Sequence, residues 1–297
     1  NEKSNQNTDA PSVNLENERE TLISRDEAIK SSNRIIFEND NVKGSISLRG
    51  ALIDDITFKK YNEKLGSNKK VIYLNPRKTN KGYFVETGWA ASNLGENAIP
   101  NKDTIWKVKG NNKLSRLSPI IIEWDNKSGL IFRKKIELDD KFLFRVTQEV
   151  QNKSSQKVEL YPYAQITRNQ NPDVTDFYIL HEGFIGVFNE ELKEESYDDV
   201  EDKKKEYVAD EGWLGITDKY WLTALVPEKG KVFKGEFIFK ESSGFKANYI
   251  QNEPVVVQPS ASKKSETKIF IAAKEVKVID GYADTEKINK FDLTIDW

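Results

Sequence analysis

The sequence predicts an all-β fold, a large antiparallel β-sandwich that ends in short helical segments. Apolar residues occupy every second position in many short runs along the 297 residues, which is the pattern of strands with one buried face. Turn-forming Gly, Asn, Asp and Pro separate these runs at short intervals, and few runs between them have helical spacing. Many short strands with frequent turns are typical of a large antiparallel sandwich.

The clearest alternation lies in residues 130–168 and predicts three consecutive strands. Its middle run places Phe144, Val146 and Val150 on one face, with charged and polar residues between them. The runs before and after it repeat the pattern, interrupted at Lys134. Paired Asp residues at 139–140 and a polar stretch at 152–155 supply the two turns. We therefore predict a three-stranded meander from which the rest of the sandwich extends.

The same pattern predicts the remaining strands in chain order. A hairpin is predicted at residues 119–138, because Asn126 and Gly129 suit a turn with positive φ. Residues 88–100, which include Trp89, are predicted to form an irregular loop. The other predicted strands are residues 34–38, 42–48, 52–61, 71–74, 83–85, 104–108, 177–188 (a bent strand or strand pair), 232–240, 249–251, 255–257 and 267–273.

Composition divides the chain into three regions. Residues 1–32 are rich in Asn, Glu and Ser, and they cannot bury enough apolar surface to offset the entropy lost on ordering. We predict that they form a flexible linker, with a short helical turn near residues 25–30. Residues 33–273 form the predicted β-domain, and residues 274–297 form a predicted C-terminal helical segment.

The C-terminal segment changes from strand to helical spacing. Asp284 is placed to cap a second short helix, and Gly281 disfavours one continuous helix. The apolar residues at helical spacing are Val278, Ile279, Tyr282, Ile288 and Phe291.

Composition also excludes several classes of function. The 46 basic and 48 acidic residues give a net charge of -2, which argues against a nucleic-acid partner. The chain has no Cys and a single His, so it cannot assemble a zinc site of several His or Cys ligands. It contains no apolar run of the roughly 18–20 residues that span a bilayer. Because Met is also absent, we expect the chain to be a processed or cut-out fragment.

One pair of residues is a candidate for acid–base chemistry. His181 and Glu182 are adjacent at a predicted strand break. We favour a structural role for His181, because the pair has no evident orienting partner. We therefore predict no catalytic residue, no cofactor and no metal.

Two further stretches have alternative interpretations. Trp213, Tyr220 and Trp221 either pack the sandwich interior, which we favour, or line a cleft for a sugar, peptide or lipid. Residues 190–210 are the most charged window, and we favour a solvated insertion at a strand crossing over a partner-binding patch.

Four sequence blocks resemble the YidC membrane-protein insertase family in its Gram-negative form. They lie in the family's order and are dispersed over most of the predicted folded region. The resemblance covers the large periplasmic domain between the first two transmembrane helices. The blocks are RGALIDDITFKKY at 49–61, NKSSQKVELYPYAQITR at 152–168, GWLGITDKYWLTALVP at 212–227 and KFDLTIDW at 290–297.

The resemblance implies a β-supersandwich similar to aldose epimerases, on the periplasmic side of the bacterial inner membrane. It implies that residues 1–32 follow a removed transmembrane helix and that residues 274–297 lead toward the membrane. The implied partners are Sec translocon components including SecDF, and nascent inner-membrane proteins that bind through the missing transmembrane part. The family's periplasmic domain is linked to SecDF association and is largely dispensable for insertion itself. Epimerase catalysis is not implied, because those enzymes need two His residues and this chain has only His181.

We therefore expect a non-catalytic interaction and spacing module of a membrane protein insertase and chaperone. The alternatives are a glycan- or peptide-binding module with a cleft at Trp213, Tyr220 and Trp221, and a sugar epimerase-like enzyme. The expected partner- or membrane-proximal residues are Val278, Ile279, Tyr282, Ile288, Phe291 and Trp297.

Overall fold

The structure, a computed structural model, describes Pro11, residues 21–170 and residues 181–295. The first ten strands are β1 Arg34–Glu38, β2 Val42–Ser47, β3 Leu52–Asn62, β4 Lys70–Leu74, β5 Tyr83–Ala90, β6 Lys107–Lys109, β7 Lys113–Leu114, β8 Ile120–Asp125, β9 Leu130–Leu138 and β10 Leu143–Asn152. The next ten are β11 Val158–Arg168, β12 Gly183–Phe188, β13 Glu191–Glu195, β14 Lys205–Ala209, β15 Gly212–Thr217, β16 Trp221–Val226, β17 Phe233–Lys240, β18 Gly244–Gln251, β19 Val255–Val257 and β20 Ser262–Ala273. The helices are α1 Arg25–Lys30, α2 Tyr197–Asp202 and α3 Val276–Glu286, with 3₁₀ turns at Glu96–Ala98 and Phe291–Thr294.

The strands form two large sheets that face each other across one apolar core. The larger sheet has 11 strands, in the order β14-β17-β18-β11-β5-β3-β2-β1-β7, with β19 beside β11 and β4 beside β3. The smaller sheet has 9 strands, in the order β13-β12-β15-β16-β20-β10-β9-β8-β6. Neighbouring strands are antiparallel except for the short parallel pair β1 and β7. The predicted all-β supersandwich is confirmed.

The predicted meander at residues 130–168 is only half correct. β9 and β10 pair as an antiparallel hairpin in the smaller sheet, but β11 belongs to the larger sheet, where it pairs with β5 and β18. The chain therefore crosses between the sheets after Asn152, whose buried side-chain amide donates to the carbonyls of Gln156 and Val257. Strands of both sheets face the same core, so alternation predicts each strand without indicating which sheet it joins.

Several element bounds also differ from the predictions. β5 continues through Trp89 to Ala90, so the beginning of the predicted loop at residues 88–100 is strand. The predicted strand at residues 104–108 is reduced to β6, although Trp106 is buried in the core. Of the predicted strand at residues 177–188, the structure describes only β12; the remainder lies largely outside the described residues.

Part of the predicted linker packs on the larger sheet. α1 begins at a capping box made by Ser24 and Glu27. Arg25 forms an ion pair with Asp55 of β3, and its Nε donates to Asn75 Oδ1 at 3.0 Å. The predicted boundary between linker and β-domain stays a prediction, but residues 24–30 contact the sandwich.

The charged segment at residues 190–210 is not a solvated insertion. β13 forms one edge of the smaller sheet, β14 forms one edge of the larger sheet, and α2 connects them through the buried Tyr197 and Val200. The prediction of a strand crossing is therefore right and that of a solvated stretch is wrong. Charged side chains on edge strands discourage pairing with another chain, which accounts for the composition of this segment.

One mostly buried cation, Arg168, joins the two sheets at this end of the core. The Arg168 guanidinium, at the end of β11, donates to Asp218 Oδ1 at 2.7 Å and to the Tyr197 hydroxyl at 3.0 Å. It also lies 4.7 Å from the centre of the Tyr83 ring. Asp218 belongs to the turn between β15 and β16, so this ion pair joins the larger sheet to the smaller one.

Replacing Arg168 should therefore destabilise the domain strongly. Arg168→Met leaves the Asp218 carboxylate, whose side chain is only 13% exposed, without its cation, which costs about 3 kcal/mol of unfolding free energy, the low end for a buried ion pair. Urea unfolding measures the change. Arg116→Met is the matched control, because Arg116 and its partner Asp140 are 3.9 Å apart and exposed, so its loss should stay below about 0.5 kcal/mol. Equal losses in the two variants would contradict the inter-sheet role of Arg168.

Candidate functional site in the C-terminal segment

The smaller sheet is apolar on both faces at its centre. In β15, Leu214 and Ile216 point into the core between the sheets, and Trp213 points to the outer face. Leu222 of β16 and Phe270 of β20 extend the same outer apolar surface. Such a surface would be unfavourable in water, so it requires a cover.

The C-terminal segment, residues 274–295, provides that cover. α3 turns Ile279 and Tyr282 toward the sheet, three residues apart on one helix face. The helix is continuous through Gly281 and ends at Glu286, where Lys287 adopts φ 55°. The break expected at Gly281 does not occur, because the packing of this face outweighs the roughly 1 kcal/mol cost of a helical Gly. A second short helical element does follow, as the 3₁₀ turn Phe291–Thr294.

Aromatic rings form the centre of the contact between segment and sheet. Phe270 lies 4.7 Å from both the Tyr282 ring and the Phe291 ring, measured between centroids. Phe291 meets Trp213 edge to face at 5.4 Å, and the Trp213 indole N–H donates to the Asn289 carbonyl at 3.1 Å. Burial of these rings is the main stabilising contribution to docking.

Polar contacts fix the register of α3 on the sheet. The Tyr282 hydroxyl donates to Asp139 Oδ2 at 2.6 Å and accepts from the Phe142 amide at 3.0 Å. Glu286 accepts from Arg145 at 2.7 Å and pairs with Lys268 at 2.8 Å. Burial alone would raise the pKa of Glu286, but Lys268 and Arg145 outweigh it and hold that pKa below its usual value.

The residues expected to face a partner or the membrane therefore face the protein itself. Each of Ile279, Tyr282, Ile288 and Phe291 is at most 5% exposed, and Val278 is partly buried against the same cluster. They serve as the docking face of the segment and are not a free surface. Trp297 lies outside the described residues.

The three predicted cleft residues do not form one site. Trp213 is fully buried under the C-terminal segment. Trp221 stacks on Phe58 with 4.8 Å between ring centres, and Tyr220 is 60% exposed. The expectation that these aromatics pack the sandwich interior describes only Trp221, which is partly buried against the core; Trp213 is buried on the outer face of the smaller sheet, and Tyr220 lies on the surface.

His181 and Glu182 are both engaged in local structure. The His181 Nε2 atom is 2.8 Å from the Phe184 carbonyl oxygen, and Glu182 accepts from the Lys219 amide at 2.9 Å. Within residues 21–170 and 181–295, no three His, Asp or Glu side chains converge as metal ligands. In the same ranges no helix is long and apolar enough to cross a bilayer.

Two lysines are buried in the sheets, and the sequence pattern marked only Lys134, as an interruption of the alternation. Lys134 lies on the inward face of β9, where its Nζ donates to the Thr87 carbonyl at 2.5 Å and lies 5.1 Å from the Trp106 ring. Lys246 of β18 is fully buried. Burial lowers the pKa of each to about 8, although Glu86 acts in the opposite direction. Lys134 shares strand parity with Phe132 and Ile136, a signal that indicates its inward orientation.

The architecture defines the class of the protein as a β-supersandwich of the aldose-epimerase type. A putative aldose 1-epimerase from Escherichia coli K12 superposes with a TM-score of 0.50 and 8% identity, over 81% of this chain and 99% of its own. A protein from Synechocystis sp. PCC 6803 also gives 0.50, with 10% identity over 89% and 100% of the two chains. Identities this low show a shared fold alone.

The chain belongs to the YidC family, and residues 34–297 match the YidC periplasmic domain. The membrane protein insertase YidC of Pelagibacter ubique (strain HTCC1062) is 47% identical over 291 residues, which are 98% of this chain and 51% of that protein. The membrane protein insertase YidC of Methylorubrum extorquens (strain PA1) is 38% identical over 290 residues, which are 93% and 46% of the two chains. The chain thus spans about half the length of these relatives.

Removing the central ring of the docking contact should weaken the whole domain. Phe291→Ala deletes a fully buried side chain from an aromatic cluster and should lower the unfolding free energy by about 3 kcal/mol. Val276→Ala is the control, because Val276 begins the same helix but is 39% exposed, so its loss should stay below about 1 kcal/mol. Urea unfolding compares the two. An unchanged midpoint for Phe291→Ala would show that the segment does not contribute to stability.

The two buried lysines predict how stability depends on pH. In the unfolded chain a lysine has a pKa near ~10.4, so between about pH 8 and 10 the unfolded state binds more protons than the folded state. The unfolding free energy should therefore rise with pH in this window, by up to about 3 kcal/mol per lysine, and stay flat just below it. Above about pH 10 it should fall, because the unfolded tyrosines ionise while burial raises the pKa of Tyr83 to about 12.

Urea unfolding at pH 7, 8, 9 and 10 measures the slope of the unfolding free energy against pH. Lys134→Met and Lys246→Met should each remove about half of it, and Lys263→Met, at an exposed position in β20, should leave it unchanged. If the unfolding free energy of the wild type does not change between pH 8 and 10, burial does not lower the pKa of either lysine in the folded state.

Proposed function

We propose that this domain is a non-catalytic interaction and spacing module of a membrane protein insertase. The observation that carries the proposal is the docking of residues 274–295 on the smaller sheet. The aromatic contacts of Trp213, Phe270 and Phe291 attach that segment rigidly to the sandwich. In the proposal, the segment sets the position of the sandwich relative to the membrane-embedded part of the protein.

The proposal places the domain on the periplasmic side of the bacterial inner membrane. The relatives named membrane protein insertases support this location, because the chain matches their periplasmic domain. The proposed partners are Sec translocon components including SecDF, with nascent inner-membrane proteins bound by the remainder of the protein. Insertion, with or without the translocon, is thereby assigned to the part of the protein beyond this chain.

A non-catalytic role agrees with the chemistry of the described residues. The single histidine of the chain, His181, is 2.8 Å from a backbone carbonyl, and its neighbour Glu182 binds the Lys219 amide. The buried carboxylate Asp54 is paired with Arg34, so it lies in a structural ion pair. These groups stabilise the fold, and none of them pairs an acid with a base around an open space.

The spacing role is tested in the full-length protein in its membrane. Phe291→Asp places a charge in the aromatic contact and should detach the segment, so insertion of a membrane-protein substrate should fall at equal levels of the insertase. Deleting residues 190–210 is an unsuitable comparison, because it removes two edge strands and α2. The matched control is Glu201→Gln with Lys203→Gln, two exposed positions in and after α2.

Insertion should be unchanged in the control. The proposal fails if Phe291→Asp inserts substrate as well as wild type while protease digestion shows the segment detached. It also fails if the control and Phe291→Asp lose insertion equally.

A further inference from the structure

We propose that one end of the sandwich binds the surface of a lipid bilayer that carries negative charge. The binding surface, which we call the tip surface, combines residues 60–70 of the β3–β4 hairpin, residues 218–220 between β15 and β16, and residues 274–277, where α3 begins. The premise is the proposed position of the domain beside a membrane. Lipid contact at the tip surface adds which part of the sandwich faces the bilayer.

Direct contacts join the three parts of the tip surface. Between ring centroids, Trp221 lies 5.0 Å from Tyr61 and 6.3 Å from Tyr220. The Tyr61 hydroxyl donates to the Glu275 carboxylate. The Lys274 amide donates to the Tyr220 carbonyl at 2.9 Å. The hairpin, the turn and the beginning of α3 therefore form one continuous surface.

Apolar side chains on the tip surface lie in solvent. Leu65, in the turn of the hairpin, is fully exposed, and Tyr220 and Val276 are exposed as well. Tight turns ordinarily carry polar residues, and a Leu in water has an unfavourable solvation free energy. Entry of Leu65 into the apolar part of a bilayer removes that cost, and tyrosine is a residue type that favours the interface between lipid and water.

A second exposed leucine lies at the same end of the sandwich. Among the large apolar side chains that the structure describes, only Leu65 is more exposed than Leu117, which lies in the turn after β7. This turn is close to the turn between β9 and β10, because Arg116 is 3.9 Å from Asp140. The Asp140 carbonyl in turn accepts from the side chain of Asn41, beside the end of β3, at 2.9 Å. Exposed apolar side chains are therefore concentrated at this end.

Lysines outnumber carboxylates on the tip surface, although the whole chain has a net charge of -2. Its lysines are Lys60, Lys64, Lys69, Lys70, Lys219, Lys274 and Lys277. The carboxylates in and beside it are Glu63, Asp218, Glu275 and Asp280. The tip surface is therefore a local region of positive charge on a nearly neutral chain.

Part of this positive charge is not balanced within the protein. Lys60, Lys64 and Lys277 are exposed and form no ion pair with any residue that the structure describes. Their ammonium groups are therefore available to the phosphates of lipid headgroups. Each lysine near an anionic membrane surface raises the binding affinity by roughly fivefold.

The kind of cation distinguishes a membrane from a protein partner. The tip surface contains lysine and no arginine. Protein–protein interfaces are enriched in arginine and depleted of lysine. A bilayer requires charge without a particular hydrogen-bond geometry, and a long lysine side chain keeps its ammonium group among the headgroups while a neighbouring apolar residue enters the lipid. The composition therefore favours anionic lipid over an acidic protein.

Protection of a sheet edge accounts for only part of the tip surface. Among the described strands β4 pairs with β3 alone, and lysines on an edge strand discourage pairing with another chain. This explanation applies to Lys70. It does not apply to Lys64 and Leu65, which lie in the turn, or to Lys277, which lies on α3.

Flotation of the 297-residue chain with lipid vesicles tests the proposal. The probes are vesicles of phosphatidylcholine alone and vesicles with equal parts of phosphatidylcholine and phosphatidylglycerol. The chain should float with the anionic vesicles and not with the neutral ones. Binding should weaken by at least about tenfold when the salt concentration rises from about 0.1 M to about 1 M, because salt screens exposed charges.

Charge reversal at exposed positions assigns the binding to the tip surface. Lys60→Glu with Lys64→Glu should weaken binding to anionic vesicles by more than about tenfold. The matched control is Lys263→Glu with Lys264→Glu, which makes the same change in net charge at the beginning of β20, whereas the tip surface adjoins the end of that strand. The control should bind nearly as tightly as wild type. All four positions are exposed, so no folding defect is expected.

A fluorophore at position 65 tests contact with lipid directly. The chain has no cysteine, so Leu65→Cys carries a single environment-sensitive dye. On addition of anionic vesicles the emission of the dye should shift to shorter wavelength, because the dye leaves water. Val208→Cys is the control, because Val208 is also exposed but lies on the edge strand β14, so a dye there should show no shift.

The proposal is overturned if the wild-type chain does not bind anionic vesicles, which would assign the lysines to an acidic protein partner, or if it binds neutral vesicles equally well. It is also overturned if Lys60→Glu with Lys64→Glu binds as tightly as its control, or if the dye at position 65 shows no shift. These measurements involve no insertion substrate, so their failure is distinct from a failure of the spacing role, which Phe291→Asp tests by insertion.

Discussion

The structure depends on one constraint, which is that the smaller sheet is apolar on both faces at its centre. Its inner face meets the larger sheet, and its outer face carries Trp213 and Phe270. A soluble sandwich with that outer face open would expose a large apolar patch. The C-terminal segment removes the patch, so the segment is part of the folded domain. The same contact fixes where the chain leaves the sandwich.

Much of this architecture follows from the sequence, because alternation of apolar and polar residues is a local property. It predicts β9 and β10 within a few residues, together with the hairpin of β8 and β9. It does not predict that β11 joins the other sheet, since both sheets share one core and impose the same alternation. The assignment of edge strands to residues 190–210 was missed for a related reason, because exposed edge strands and solvated insertions share a charged composition.

The candidate site was predicted in part. Helical spacing identified Ile279, Tyr282 and Phe291, but spacing alone does not say whether an apolar helix face meets a partner or the same chain. The side-chain contacts show that this face packs on the same chain. The burial of Lys246 was not predicted, because a Lys at an outward strand position normally lies in water.

Fold and function separate clearly in this domain. Its likeness to aldose epimerases is a likeness of architecture. Its most informative feature is a contact that catalysis does not need, the aromatic docking of the C-terminal segment, which supports a mechanical role.

Amide hydrogen exchange of α3 in the intact chain tests the central claim most directly. If the C-terminal segment is part of the folded domain, the amides of Val276–Glu286 should be protected nearly as strongly as those of β16. If they exchange at the rate of a free helix while β16 stays protected, the segment is only loosely attached and the account is contradicted.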